Sequence, residues 1–209
     1  KVPIAPLIED GERGMSVGEL LKNKMFWLLL VMMICAGASE QAVSQWASAL
    51  MEKGFGISKT IGDLAGPMTF AVLMGSSRAF YGKYGEKIKL DNFMVGSCLL
   101  AIVSYLGIVF LPIPQLSLVA CALSGLSVGI MWPGTFSKAA VVLRKGGTAM
   151  FALLALGGDL GCSLGPSVVG FVSGLLNDNL KIGILAAVIF PISLLLGIIC
   201  CQKRNPSLT

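Results

Sequence analysis

The sequence contains no histidine. That absence removes zinc sites built on imidazole, catalytic triads with a histidine base, and proton relays that run on imidazole. Proton chemistry, if the chain carries any, falls to carboxylates. Charge is scarce as well: 13% of the 209 residues are Asp, Glu, Lys or Arg, against about a quarter in soluble domains. No G-x-x-x-x-G-K-[ST] phosphate loop occurs, and the G-x-S-x-G pentads at 14–18, 125–129 and 161–165 come without any histidine in the chain. The first absence argues against ATP-driven transport within this chain. The lack of a histidine to act as base argues against an intramembrane serine hydrolase, although Gly134-Thr135-Phe136-Ser137 supplies a serine. The six cysteines (Cys35, Cys98, Cys121, Cys162, Cys200, Cys201) lie in apolar stretches without C-x-x-C spacing, so neither a disulfide framework nor a metal site is signalled. No cofactor is expected. The net charge of +5 comes from lysines and arginines scattered in loops, not from an arm that could track a phosphate backbone, and nucleic acid is excluded as a partner.

What is present is apolar. Hydrophobic residues make up 55% of the chain and the mean hydropathy is +0.83, so most of the chain is expected in lipid. A helix needs roughly 20 apolar residues to cross about 30 Å of hydrocarbon. Six windows qualify, at about 25–51, 60–80, 92–112, 115–137, 148–174 and 180–201. Their continuous apolar runs lack the period-2 alternation of a transmembrane barrel, so the fold class expected is an all-α polytopic bundle. Thirteen of the sixteen basic residues flank the even-numbered connections and the two ends, leaving Lys53, Lys59 and Lys181 on the other side. The lysine-rich side is therefore cytoplasmic, with both termini there, and the cell (plasma) membrane is the expected location. Residues 1–23 read as a cytoplasmic linker, 24–202 as the bundle and 203–209 as a cytoplasmic tail. The chain begins Lys1-Val2-Pro3, without an initiator methionine, and reads as a piece of something longer.

Ionisable and polar groups inside spans cost free energy and therefore locate a cavity. In the first span Gly37, Glu40, Gln41, Ser44, Gln45 and Ser48 share one helical face. In the fifth, Asp159, Cys162, Ser163, Pro166, Ser167 and Gly170 repeat the spacing, while Gly157, Gly161 and Gly165 form a small-x-x-x-small stripe that lets a neighbouring helix approach closely. The fourth span carries Ser124, Ser127, Met131, Thr135 and Lys138 on one side, Gly125, Gly129 and Pro133 on the other, and a bend at Trp132 and Pro133. The third and sixth spans are plain and read as lipid-facing. Serine stripes also serve simple helix packing, so the intramembrane carboxylates stand out, Glu40 first and Asp159 second. Asp63 and Glu52 read as boundary charges, and Arg78 and Lys138 as cytoplasmic-end residues whose charges reach lipid headgroups.

The whole pattern resembles the C-terminal half of permeases of the major facilitator superfamily, which have two six-span halves, each with nested 3+3 inverted repeats. Arg78-Ala79-Phe80-Tyr81-Gly82-Lys83-Tyr84-Gly85-Glu86-Lys87 is similar to the family's cytoplasmic G-x-x-x-D-R-x-G-R-K gating loop. Lys83, Gly85 and Lys87 fit; Arg78 stands for the first glycine, Gly82 for the aspartate and Glu86 for an arginine. Gly62-Asp63-Leu64-Ala65-Gly66-Pro67 echoes Gly158-Asp159-Leu160-Gly161 with Gly165-Pro166, as an internal repeat would. Ser39-Glu40-Gln41-Ala42-Val43-Ser44-Gln45-Trp46 resembles the corresponding helix of fucose-permease-like sugar transporters. The resemblance implies alternating access by a secondary transporter acting as a symporter or similar permease. It implies a missing N-terminal six-helix half, a small polar substrate, and H+ or Na+ as coupling ion. Glu40, Gln41, Ser44, Gln45, Trp132, Asp159 and Ser163 are the candidate substrate or ion site, and Arg78, Lys83, Gly85 and Lys87 the candidate gating loop. A self-pairing or non-transporting six-span module is the other reading.

Overall fold

The computed structural model describes residues 13–204 apart from 55 and 57, and gives no side-chain placement at 53, 54, 59, 63 and 86. The first twelve residues of the expected linker and the tail beyond 204 thus lie outside the described residues, as do the side chains of Asp63 and Glu86.

Among the described residues the chain is all-helical. A short helix, α1 (Val17–Lys22), precedes α2 (Lys24–Ser44), which runs on through Ala47–Ala49 into a π-helical turn, Leu50–Gly54. There follow α3 (Lys59–Tyr84), a 3₁₀ turn at Gly85–Lys87, α4 (Leu90–Phe110), the pair α5 (Pro114–Val128) and α6 (Met131–Val142), α7 (Gly147–Leu175), and the pair α8 (Leu180–Ala187) and α9 (Ile189–Arg204). Both paired helices break three or four residues before a proline, and for the same reason. Pro133 and Pro191 have no N–H to offer the carbonyls of Gly129 and Ala187 four residues earlier. Between α7 and α8 the chain turns at Asn177 and Asp178 with φ of 56° and 57°, a left-handed geometry that Asn and Asp tolerate better than other side chains. Asn179 then caps α8 by accepting the Lys181 N–H at 3.1 Å.

Five stretches are long and apolar enough to cross a membrane: Lys24–Glu52, Leu90–Phe110, Pro114–Val142, Gly147–Leu175 and Leu180–Arg204. Helix α3 is 26 residues long and long enough to span, but Gly66, Pro67, Gly75, Ser76, Ser77 and Arg78 dilute its hydropathy. The sequence window expected there at 60–80 is thus a helix without a simple lipid-facing composition.

Glycines bring the helix backbones together. On α7, a Cβ at Gly161 or Gly165 would overlap the carbonyls of Ile34 or Ala38 on α2, and one at Gly37 would overlap that of Gly158. On α5, a Cβ at Gly125 would strike the Phe70 carbonyl of α3, and at Gly129 it would stand 2.7 Å from that of Met74. These small-residue faces replace side-chain interdigitation by backbone contact, the usual means of helix association where lipid removes the hydrophobic driving force. The glycine stripes expected to pack do so. The short sequence echo is different: Pro67 lies eight residues into α3 and Pro166 nineteen into α7. Repeats of opposite topology keep their distance from the helix start, so the echo is not positioned as a repeat and the match reduces to two proline-containing helices.

Candidate functional site

The α2–α7 crossing sets the stage. Because Gly37 seats against Gly158, the next turn of α2 carries Glu40, buried at 9% exposure, to the junction with α5–α6 and α7. Glu40 lies near the middle of the Lys24–Glu52 span. Its backbone is held from behind: the hydroxyl of Tyr105, fully buried on α4, donates to the Ser39 carbonyl at 2.5 Å, and Ser39 Oγ donates to the Cys35 carbonyl at 2.7 Å. Cys162 of α7 lies within electrostatic reach of both Glu40 and Asp159. The two intramembrane carboxylates singled out in the sequence thus flank one position.

The partner of Glu40 is Arg78. The Arg78 Nη2 stands 3.4 Å from Glu40 Oε2, and the Arg78 Nε donates to the Gly129 carbonyl at 3.0 Å. That carbonyl is available because Pro133 cannot donate to it along the helix. The proline bend thus creates an acceptor, the acceptor orients the guanidinium, and the guanidinium meets the carboxylate. Arg78 therefore neither starts a loop nor snorkels: it sits inside α3, six residues before its end, with a side chain 44% exposed against 12% for Glu40. The pair is longer than the 2.7–2.9 Å typical of charge-assisted hydrogen bonds, so the carboxylate is neutralised without being fully occupied.

A family model described as Major Facilitator Superfamily matches residues 3–166. The chain belongs to the Major Facilitator Superfamily. That family is made up of transporters of small molecules, not of enzymes, so the apolar helices are those of a membrane transporter. No curated protein and no solved structure matches the chain.

Within this superfamily chain, the remaining candidates divide. Gln45 Nε2 donates to Gln41 Oε1 at 3.1 Å, so the amide next to Glu40 and the one a turn further on hold each other, with Ser44 half-buried between them and Gln45 exposed. Asp159 and Ser163 are exposed on α7, and Ser163 and Ser167 spend their hydroxyl protons on the carbonyls of Asp159 and Ser163. Leu156, Leu160 and Leu164 are exposed beside them. A face that mixes an acid, serines and leucines suits neither lipid nor water alone. Trp132 packs its ring on Gly158, and its indole N–H is buried without a hydrogen-bond partner, leaving a donor at the same three-helix junction. In the stretch expected to form a gating loop, Lys83 lies in the last turn of α3 and Gly85 and Lys87 belong to the 3₁₀ turn; Lys83 and Lys87 are exposed.

Two residues escaped the sequence reading altogether in their roles. Lys138, expected to reach for headgroups, is buried at 7% exposure and pairs with Asp91 at the start of α4. Asp91 carried no signal beyond its place in the first turn of a span. The available clue was energetic: a cation inside a span costs about 2.5–3.5 kcal/mol unless paired, which should have sent both Arg78 and Lys138 in search of carboxylates.

Proposed function

We propose that this chain is the C-terminal six-span half of a secondary transporter that moves a small polar solute by alternating access, coupled to H+ or Na+, with both termini cytoplasmic. In this reading α3 is the remaining span, and the exposed faces of α2 and α7 look toward an N-terminal half across the transport path. The observation that carries the proposal is the Glu40–Arg78 contact: a mid-span carboxylate whose single cationic partner is loosely held, half-exposed, and also bonded to the bend at Gly129.

The mechanism follows from that geometry. With Glu40 ionised, Arg78 is drawn toward α2 while still hydrogen-bonded to the α5–α6 break. When a proton, a sodium ion or a polar group of the solute occupies Glu40, the attraction is lost and Arg78 retains only the Gly129 carbonyl. Occupancy of one carboxylate is thereby linked to the position of a side chain that spans three helices. A ligand shifts a conformational equilibrium only by its difference in affinity for the two states, and a carboxylate that exchanges its counter-ion supplies such a difference. Gln41, Gln45, Ser44 and the spare Trp132 N–H offer hydrogen bonds to hydroxyls or amides nearby, while Asp159 and Ser163 present a second polar wall.

The test is ion-driven uptake of a panel of sugars, amino acids and organic acids by the full-length protein in proteoliposomes. The Glu40→Gln variant, folded normally by gel filtration, is expected to lose gradient-driven uptake by tenfold or more, on the order of one positioned charge interaction. Unchanged uptake with unchanged ion dependence would remove Glu40 from the mechanism.

A further inference from the structure

At the lysine-rich end of the bundle, α3 and α4 diverge and leave a groove of about 610 Å³. It runs from Phe80 and Phe93 near the helix ends to Leu100 and Leu126 deeper in, with Gly96 on its floor. On α4 its lining runs from Asn92 to Leu100, eight residues or about 12 Å at 1.5 Å per residue, against about 15 Å for half the hydrocarbon thickness. The groove therefore reaches through most of one leaflet. A volume of 610 Å³ over that length gives a cross-section of about 50 Å², under that of a helix about 10 Å across.

We propose that this groove holds the acyl tail of one anionic phospholipid drawn from the leaflet at the lysine-rich end, with its headgroup against Lys83 and Lys87. Four observations converge. The groove is too narrow for a helix and reaches through most of a leaflet. By area its wall is mostly apolar, from Phe80, Phe93, Leu100 and Leu126, and three serines, Ser76 among them, line it together with Asn92. A Cβ at Gly96 would meet nothing within 4 Å, so the glycine leaves open space where no neighbouring helix requires it. The mouth is aromatic and basic: Phe80 contacts Phe93 and Tyr84 with ring centroids 6.1 and 5.1 Å apart, and Lys83 Nζ stands 5.4 Å over the Tyr84 ring. Interfacial aromatics mark headgroup depth, and lysines there attract anionic headgroups, each with about 1 kcal/mol. The headgroup thus meets charge where the tail enters the groove.

The experiment uses the full-length protein reconstituted in vesicles of three parts phosphatidylcholine to one of phosphatidylglycerol, extracted in mild detergent and weighed intact by native mass spectrometry. The wild-type protein is expected to retain one phosphatidylglycerol in preference to phosphatidylcholine. Gly96→Phe and, independently, Ser76→Phe fill the groove and are expected to lose the retained lipid of either kind. Lys83→Gln with Lys87→Gln leaves the groove open and is expected to lower the preference for phosphatidylglycerol about tenfold or more, with the tail site intact. Equal retention in either folded filler variant overturns the proposal. So does an unchanged headgroup preference in the double lysine variant, or a dimer without lipid that Gly96→Phe dissociates.

Discussion

Among the described residues, the ion pairs Lys138–Asp91 and Arg78–Glu40 both cross this bundle, and they are built for different purposes. Lys138 and Asp91 join α6 to the start of α4 in direct contact, with side chains 8% and 16% exposed. Arg78 and Glu40 stand 3.4 Å apart, and the arginine is 44% exposed. The first pair borders a cleft of about 270 Å³ beside Lys89 and Gln202, yet both of its side chains stay mostly buried. The second has a partner that can turn to solvent or rest on the Gly129 carbonyl. Burying two charges is repaid only by close geometry, and removing one member of such a pair strands the other. Exposure of one partner removes much of that penalty. The tight pair is a fastening between the third and fourth spans; the loose pair can be exchanged for a ligand.

The contrast is broken most severely at the fastening. Asp91→Ala is expected to destabilise the folded bundle by about 3–5 kcal/mol, because the Lys138 ammonium stays buried without its carboxylate, and Lys138→Ala to act similarly from the other side. Replacing both by apolar residues, Asp91→Leu with Lys138→Met, should recover most of the loss, since a buried pair is often replaceable by well-packed hydrophobes. Thermal unfolding in detergent, followed by the fluorescence of a thiol probe reacting with the buried Cys98 and Cys121, reads this directly. A double variant no more stable than the singles would mean that Lys138 and Asp91 serve something other than each other.

At the loose pair the expected effects are smaller and asymmetric. Arg78→Gln removes the donor to Gly129 and leaves Glu40 buried without a counter-ion, a loss of about 1–3 kcal/mol. Glu40→Gln leaves an arginine that turns to water, at about 0–1 kcal/mol. The same thermal assay should therefore rank Arg78→Gln clearly below Glu40→Gln. Equal losses would make the pair a second fastening and weaken its place in transport.

The difference between the pairs also explains what was legible in the sequence. Helical class, the apolar windows and the glycine faces follow from composition and from i, i+4 periodicity, which are local. Gly161 and Gly165 could be assigned to packing because a small-x-x-x-small stripe has one dominant use in lipid. The site could be read only as one-sided stripes: Glu40 and Asp159 were visible as acids in spans, but their surroundings were not. Arg78 lies 38 residues from Glu40, and Lys138 lies 47 from Asp91. Each pairing depends on how separate helices meet, and that of Arg78 depends further on Pro133 vacating the Gly129 carbonyl on another helix. The motif alignment misdirected the reading, since it counted Arg78 as the first position of a loop when it lies inside α3.

A third carboxylate sharpens the comparison from outside the membrane. Glu19 opens α1 in a reciprocal capping box: the Ser16 N–H donates to Glu19 Oε2 at 2.7 Å, and the Glu19 N–H to Ser16 Oγ at 3.3 Å. Here backbone N–H groups take the place of a cationic side chain. The hydrogen bond from the Ser16 backbone, then that from its side chain, hold the Glu19 carboxyl below its ordinary value of 4.5. A lowered value means that the unfolded segment binds protons more readily, so the cap is at full strength above pH 4.5 and weakens as pH falls below it. Because Glu19 is exposed, this is the smallest effect of the set and a local one. It should appear in amide exchange at Leu20, whose N–H donates to the Ser16 carbonyl at 3.0 Å, as protection that falls with acid after correction for the intrinsic rate. Glu19→Gln should flatten that pH dependence, and Ser16→Ala should cost about 1 kcal/mol of local protection at neutral pH. A Glu19→Gln variant that kept the acid dependence would shift its origin to another group near α1, where Met15 bonds the Lys145 carbonyl at 2.8 Å.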